Sequence, residues 1–184
     1  MTDLLYTIDL YIFYFFNQSL SNPTLDKFFS IITSVNNWLI AYIVLLGITF
    51  KYGGSRGKIA VIFVLIMITV TDQLGHKIIK EYFARPRPCN ILNNVITPQG
   101  CSGTYSFPSN HAFNNFAAAT FFSFLFPNFR IILFITAFLI AISRVYLGLH
   151  YPSDIIGGAI LGMIFGYIFS EIVLMIETKI KKLK

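Results

Sequence analysis

Long apolar runs alternate with short polar links along this chain, and the lengths of the runs decide its class. A bilayer core of ~30 Å needs about 20 mostly apolar helical residues, because no backbone polar group can stay unpaired in lipid. Residues 4–20 barely reach that length and include Asp9 and Asn17, which leaves a short first span or a helix lying in the interface. The span is the favoured reading. Asn22-Pro23 breaks the chain, and residues 24–50 then suffice for one helix, with Asn36-Asn37 as its point of interruption and Asp26 and Lys27 at headgroup level. A glycine-rich basic turn at 51–58 leads into an apolar run at 59–70, whose continuation carries Asp72, Gln73, His76, Lys77 and Lys80. The i, i+4, i+8 spacing of Asp72, His76 and Lys80 predicts one slowly drifting helical face directed at a polar cavity. Outside any motif, His76 reads as structural, and Lys77 can snorkel to the headgroups.

Arg85-Pro86-Arg87-Pro88 ends that helix, since proline cannot continue it and restricts the residue before it. Residues 89–107 form the longest non-apolar segment, the natural lid or rim of a site. The next span covers 109–126, with Ser109 as N-cap and Ala117-Ala118-Ala119 suited to close helix packing. Pro127-Asn128 turns the chain, 129–146 spans again, 147–152 links, and 153–176 is the last span. Gly158, Gly162 and Gly166 repeat every four residues, a pattern read as packing between helices. Tyr146 and Tyr151 read as interface aromatics. The expected fold is all-α, a single domain over 1–184 built as a polytopic bundle of about six spans.

Composition agrees. The chain is 55% hydrophobic and only 12% charged, with a mean hydropathy of +0.69, which excludes an ordinary soluble domain. The net charge of +6 would suit nucleic acid, but the basic residues lie in short clusters between apolar runs and no nucleic-acid module is visible. The first residues lack the basic region and cleavage site of a signal peptide, so the first apolar segment is expected to stay. If the turn at 51–58, Arg130 and the tail of Lys179, Lys181, Lys182 and Lys184 face the cytoplasm, they hold eight of the fourteen Lys and Arg residues and satisfy the positive-inside rule. The links at 80–109 and 147–154 then meet on the outer side, the periplasm or cell exterior of a bacterial inner membrane. Cys89 and Cys101 would lie there too; they can pair as a disulfide, closing a loop worth about 3 kcal/mol, or remain two free thiols.

What gathers on that face is Lys80, Arg87, Ser109, His111, Arg144, His150 and Asp154. Three cations without matching carboxylates repel one another, so the site awaits an anion with several oxygens, and phosphate fits. Two histidines and a carboxylate remain for nucleophilic and proton-transfer work.

Lys80 to Pro88 reads K-x6-R-P, Pro108 to His111 reads P-S-N-H, and Ser143 to Asp154 reads S-R-x5-H-x3-D. In this order and spacing the set resembles the three-part signature of the type 2 phosphatidic acid phosphatase family, whose site is shared with vanadium haloperoxidases, and the order of spans resembles its bacterial membrane members. Asn110 stands where the commonest family pattern has glycine. The resemblance implies His150 as the nucleophile that becomes a phosphohistidine, Asp154 as its orienter, and His111 as acid and then base. Lys80, Arg87, Ser109 and Arg144 would hold the phosphoryl oxygens, with no metal and no cofactor. Arg85 reads as a headgroup anchor or a substrate contact, and Asn110 as a substrate contact. The implied substrate is a membrane lipid phosphate or diphosphate: undecaprenyl diphosphate, phosphatidylglycerophosphate or lipid A 1-phosphate. Two rival readings are a metal-dependent hydrolase or transporter using His111, His150 and Asp154 as ligands, and a noncatalytic lipid-binding membrane protein. Nothing in the sequence fixes the oligomeric state.

Overall fold

Backbone groups with no water to bond must bond each other, and every apolar run accordingly folds as a helix. The computed structural model describes residues 2–101, 103 and 105–183, so Ser102 and Thr104 of the long polar segment and Lys184 of the basic tail lie outside the described residues. Among these residues there is no strand, only one isolated bridge between Pro86 and Tyr105. Among the described residues four helices are long and apolar enough to cross a membrane: Val35–Tyr52, Gly54–Phe83, Pro127–Tyr146 and Pro152–Lys182. The chain is an all-helical membrane protein.

Helix α1 (Thr2–Tyr14) is too short to cross by itself and continues into a π turn at Phe15–Ser19. That turn swings Asn17 into the interior, where its amide donates to the carbonyls of Ile96 and Tyr146, each at 2.7 Å. The interruption expected at Asn36-Asn37 falls earlier, at Ser34, between α2 (Pro23–Thr33) and α3 (Val35–Tyr52). Asn37 and Trp38 reach back instead, their side chains donating to the carbonyls of Ile31 and Ile32 in the last turn of α2.

Helix α4 (Gly54–Gln73) runs through a π segment at Leu74–Ile79 into α5 (Lys80–Phe83). This segment corrects the single face expected for Asp72, His76 and Lys80. Eight α-helical steps would leave Lys80 about 80° around the axis from Asp72, and one residue absorbed by the π turn brings it back to within about 20°. Lys80 is buried and Asp72 half-buried, while His76 faces outward. The helix stops at Ala84 in the left-handed region, one residue before the proline-rich stretch, and a short α6 (Pro88–Ile91) follows.

Helices α7 (Asn110–Leu125), α8 (Arg130–Tyr146) and α9 (Pro152–Lys182) complete the fold. α7 lies against α9 more extensively than any other helix pair. The α9 glycines allow it: a Cβ at Gly158, Gly162 or Gly166 would stand 2.6, 2.4 and 2.4 Å from the carbonyls of Ser109, Phe113 and Ala117. At the far end Arg56 ties α4 to both, donating to Glu177 at 2.7 Å and to the Leu125 carbonyl at 3.1 Å. Tyr146 and Tyr151, expected as interface aromatics, are instead fully buried; the Tyr146 hydroxyl donates to Asp26 at 2.6 Å and so fastens α2 to the end of α8.

Gly162→Ala should destabilise the protein by about 1–3 kcal/mol, because its Cβ meets backbone that cannot move aside. A melting temperature in detergent equal to wild type would show that the two helices can separate freely.

Candidate active site

The link between α8 and α9 is fixed from both ends. Gly148 takes a φ of 78°, the left-handed turn that ends α8, and a Cβ there would strike Val95 and the Ile96 carbonyl. The Arg144 carbonyl then accepts the N–H groups of both Leu149 and His150, at 3.0 and 3.2 Å. α9 starts at Pro152, and Asp154 Oδ2 accepts the Tyr151 N–H at 2.8 Å. His150 projects from this taut link into the interior, 2% exposed.

Its Nε2 lies 3.3 Å from Arg87 Nη1, which also donates to the Leu149 carbonyl. A guanidinium only donates, so Nε2 carries the lone pair and the proton resides on Nδ1. Nδ1 is 3.4 Å from Asp154 Oδ2, yet lacks the alignment of a hydrogen bond. The carboxylate is committed elsewhere: Asp154 Oδ1 accepts from Arg85 Nη1 at 2.7 Å. Arg85 also donates to Ser153 Oγ at 2.6 Å and to Asp9 Oδ2 at 2.7 Å, and lies over the Tyr151 ring. Burial opposes its charge, but Asp154 and Asp9 outweigh burial and push Arg85 above its usual value. Arg85 is therefore engaged by two carboxylates, a setting that neither a headgroup anchor nor a substrate contact requires.

The other cations have no such partners. Lys80 Nζ donates to the carbonyls of Tyr105 and Ser106 at 3.2 and 3.4 Å, and Arg144 Nη1 to Thr33 Oγ1 at 3.0 Å. Among the described residues, Lys80, Arg87 and Arg144 form no ion pair with a carboxylate. Among those residues Arg87 Nε and Arg144 Nε are buried donors with no acceptor. His111, in the first turn of α7, bonds the Thr33 backbone and lies in the field of Arg144 and His150.

Ser109 and Asn110 are placed less directly. Ser109 Oγ caps α7 by accepting from the Ala112 N–H, and its own N–H donates to the Asp154 carbonyl at 3.1 Å. The Asn110 amide turns toward α4 and donates to Asp72 Oδ1 at 3.0 Å, away from His150. The long polar segment is pinned as a rim. Its Ile96 is held by Asn17 on both its N–H and its carbonyl, Asn94 by Gln18, and Gln99 by the Ser30 carbonyl. Cys89 and Cys101 form a disulfide, and Gly103 packs on the Arg87 guanidinium. Among the described residues no three His, Cys, Asp or Glu side chains assemble as metal ligands, which leaves His111, His150 and Asp154 without that geometry.

The structure thus brings Lys80, Arg87, His111, Arg144, His150 and Asp154 into one electrostatic unit, and adds Asp9, Thr33, Ser106 and Ser153, which the sequence motifs leave out. Asp9 had a signal of its own: a carboxylate in the middle of a mostly apolar helix needs a partner.

The sequence profile of the PAP2 superfamily matches residues 59–177. The chain belongs to this superfamily. That range takes in all three motifs and excludes α1, so Asp9 comes from outside the shared region. The chain is 34% identical over 179 residues to the lipid A 4'-phosphatase of Bacteroides thetaiotaomicron, covering 92% of this chain and 78% of that one. The lipid A 4'-phosphatase of Porphyromonas gingivalis is 30% identical over 88% of this chain and 72% of its own. In fold, the PAP2-type phosphatidylglycerolphosphate phosphatase of Bacillus subtilis superposes with a TM-score of 0.69 at 26% identity, over 98% of this chain and 90% of that one. The chain is a membrane phosphatase of this superfamily.

Burial first, then Arg87, Lys80 and Arg144, hold the His150 ring well below the ordinary histidine value of 6.5. The unfolded chain therefore binds this proton at a higher pH than the folded one. The stabilisation is complete above pH 6.5 and is lost as the pH falls below it, by at most about 1.4 kcal/mol per unit. Between pH 7.5 and 5.5 the melting temperature of wild type should drop further than that of His150→Gln; parallel curves would mean the ring is already protonated when folded.

Proposed function

We propose that this phosphatase hydrolyses a lipid phosphate through a phosphohistidine intermediate on the outer face of the membrane. The observation that carries the reading is the pair of buried cationic donors without acceptors among the described residues, Arg87 Nε and Arg144 Nε, beside a histidine whose lone pair is on Nε2 and faces Arg87. A phosphate dianion would supply the acceptors these donors lack.

In this reading Nε2 of His150 attacks phosphorus while the bond to the lipid oxygen breaks, and His111 protonates that oxygen as it leaves. Positive charge appearing on the His150 ring is stabilised by Asp154 across the 3.4 Å gap on the Nδ1 side. His111, now a base, activates a water that cleaves the phosphorus–nitrogen bond and frees inorganic phosphate. Lys80, Arg87 and Arg144 hold the phosphoryl oxygens throughout, a fixed cationic cage in place of metal ions, with the buried end of α7 at Ser109 beside them.

The substrate we propose is a phosphomonoester on lipid A, supported by the names of two relatives that match most of the chain. Phosphatidylglycerophosphate is the second reading, supported by the similarity of fold to the Bacillus subtilis enzyme. The six-span arrangement, in the inner membrane with the site toward the periplasm, follows if α1 with its π turn and the 16-residue α7 join the four long helices.

Phosphate release from lipid A, phosphatidylglycerophosphate and undecaprenyl diphosphate in detergent tests class and substrate together. His150→Ala and Asp154→Asn should abolish turnover, a loss of at least about 1,000-fold, while both proteins stay monodisperse. Activity that disappears with chelator and returns with zinc would sink the metal-independent mechanism.

A further inference from the structure

Asp9 is 6% exposed in the middle of a mostly apolar helix, and both of its oxygens are used. Oδ1 accepts the Ser153 N–H at 2.8 Å. Oδ2 accepts the Ser153 hydroxyl and Arg85 Nη2, the latter at 2.7 Å. The first contact alone would dock α1 on the start of α9, because it satisfies one of the open N–H groups there. The second goes further, since Arg85 is the residue that holds Asp154.

Charge explains why that matters. Arg85 and Asp154 by themselves form a neutral pair, and a neutralised carboxylate has little to offer a ring that is becoming cationic. With Asp9 added, two carboxylates share one guanidinium and the group keeps a net negative charge. Because Arg85 bridges them through opposite nitrogens, Asp154 is also held in one orientation toward His150 Nδ1. Both carboxylates are buried and the guanidinium between them is only a quarter exposed, so the charges are screened less than at an open surface.

We propose that Asp9 is a positioning residue for phosphoryl transfer: through Arg85 it orients Asp154 and leaves it a net negative charge to stabilise the His150 ring. The inference rests on the phosphohistidine reading given above. It assigns a role to α1, outside the span matched by the family profile, and it gives Arg85 a task other than touching substrate.

The test uses the full-length protein in detergent, with lipid A and phosphatidylglycerophosphate as substrates. The amplitude of phosphoenzyme formed on rapid mixing counts competent sites, so a preparation that folds poorly is still scored per site. Asp9→Asn should lower kcat by roughly 10- to 100-fold, the loss typical of a displaced supporting group, with KM not raised, because Asp9 touches no substrate. Asp9→Glu, which keeps the charge, should recover most of the loss. Arg85→Gln should lower kcat as well, and the double variant should be no worse than Arg85→Gln alone, since Asp9 acts through Arg85.

Losses that multiply in the double variant would overturn the inference, as would an Asp9→Asn effect confined to KM or to the number of competent sites. Those last two results belong to a helix anchor. Wild type that releases no more phosphate than His150→Ala overturns the phosphatase mechanism itself and this inference with it. Wild type active, His150→Ala dead and Asp9→Asn unchanged removes the inference alone.

Discussion

Removing Lys80, Arg87 and Arg144 from water together costs several kcal/mol per ion, and their mutual repulsion adds to that. Such a cluster forms only if the remainder of the molecule leaves it no alternative. The three side chains come from three different places: the end of the α4–α5 helix, the stretch after Ala84, and the last turns of α8. None could stay if its helix were free to turn or slide. The glycine contact of α9 against α7, the Arg56 tie at the far end and the Asn17 clasp on the rim all restrict such motion. Stability is thus concentrated on a group that would relax if allowed.

That arrangement also explains the polar bonds inside an otherwise apolar bundle. Lys80 leans on two carbonyls of the rim and Arg144 on the Thr33 hydroxyl, acceptors that satisfy the charges in part without neutralising them. A carboxylate in either place would quench the cage. The break at Ser34 has its reason here as well: by ending α2 at Thr33 it leaves that residue's backbone open to His111 and its side chain open to Arg144.

Much of this could be read from the residues. Run lengths placed α8 and the start of α9 to within one position, while α9 runs six residues past the expected span, and the four-residue glycine period marked a close helix contact, because steric need at a helix crossing shows directly as missing side chains. The chemistry-bearing residues showed through spacing across short links, where sequence neighbours are spatial neighbours. What stayed hidden depends on backbone form rather than residue type. The π turns at Phe15–Ser19 and Leu74–Ile79 have no side-chain signature, so the burial of Asn17 and the outward turn of His76 could not be foreseen. Asp9 was visible as an oddity, but its partner Arg85 lies 76 positions away and no local pattern joins the two. The tyrosines at 146 and 151 misled for a similar reason: aromatics at a membrane boundary look alike whether they face lipid or the protein interior.

The π segment before Lys80 also changes what the chain can tolerate in length. Lys80 donates its N–H to Gly75 five residues back, so the segment stores one surplus residue. Removing one residue there would convert the segment to ordinary helix and leave Lys80 at the same angle to Asp72. Removing one from the regular part of α4 would instead rotate both residues by about 100° relative to the start of the helix. The same stretch that looks like an irregularity in the helix is therefore its phase buffer, a place where a deletion can pass without disconnecting the lysine from the site.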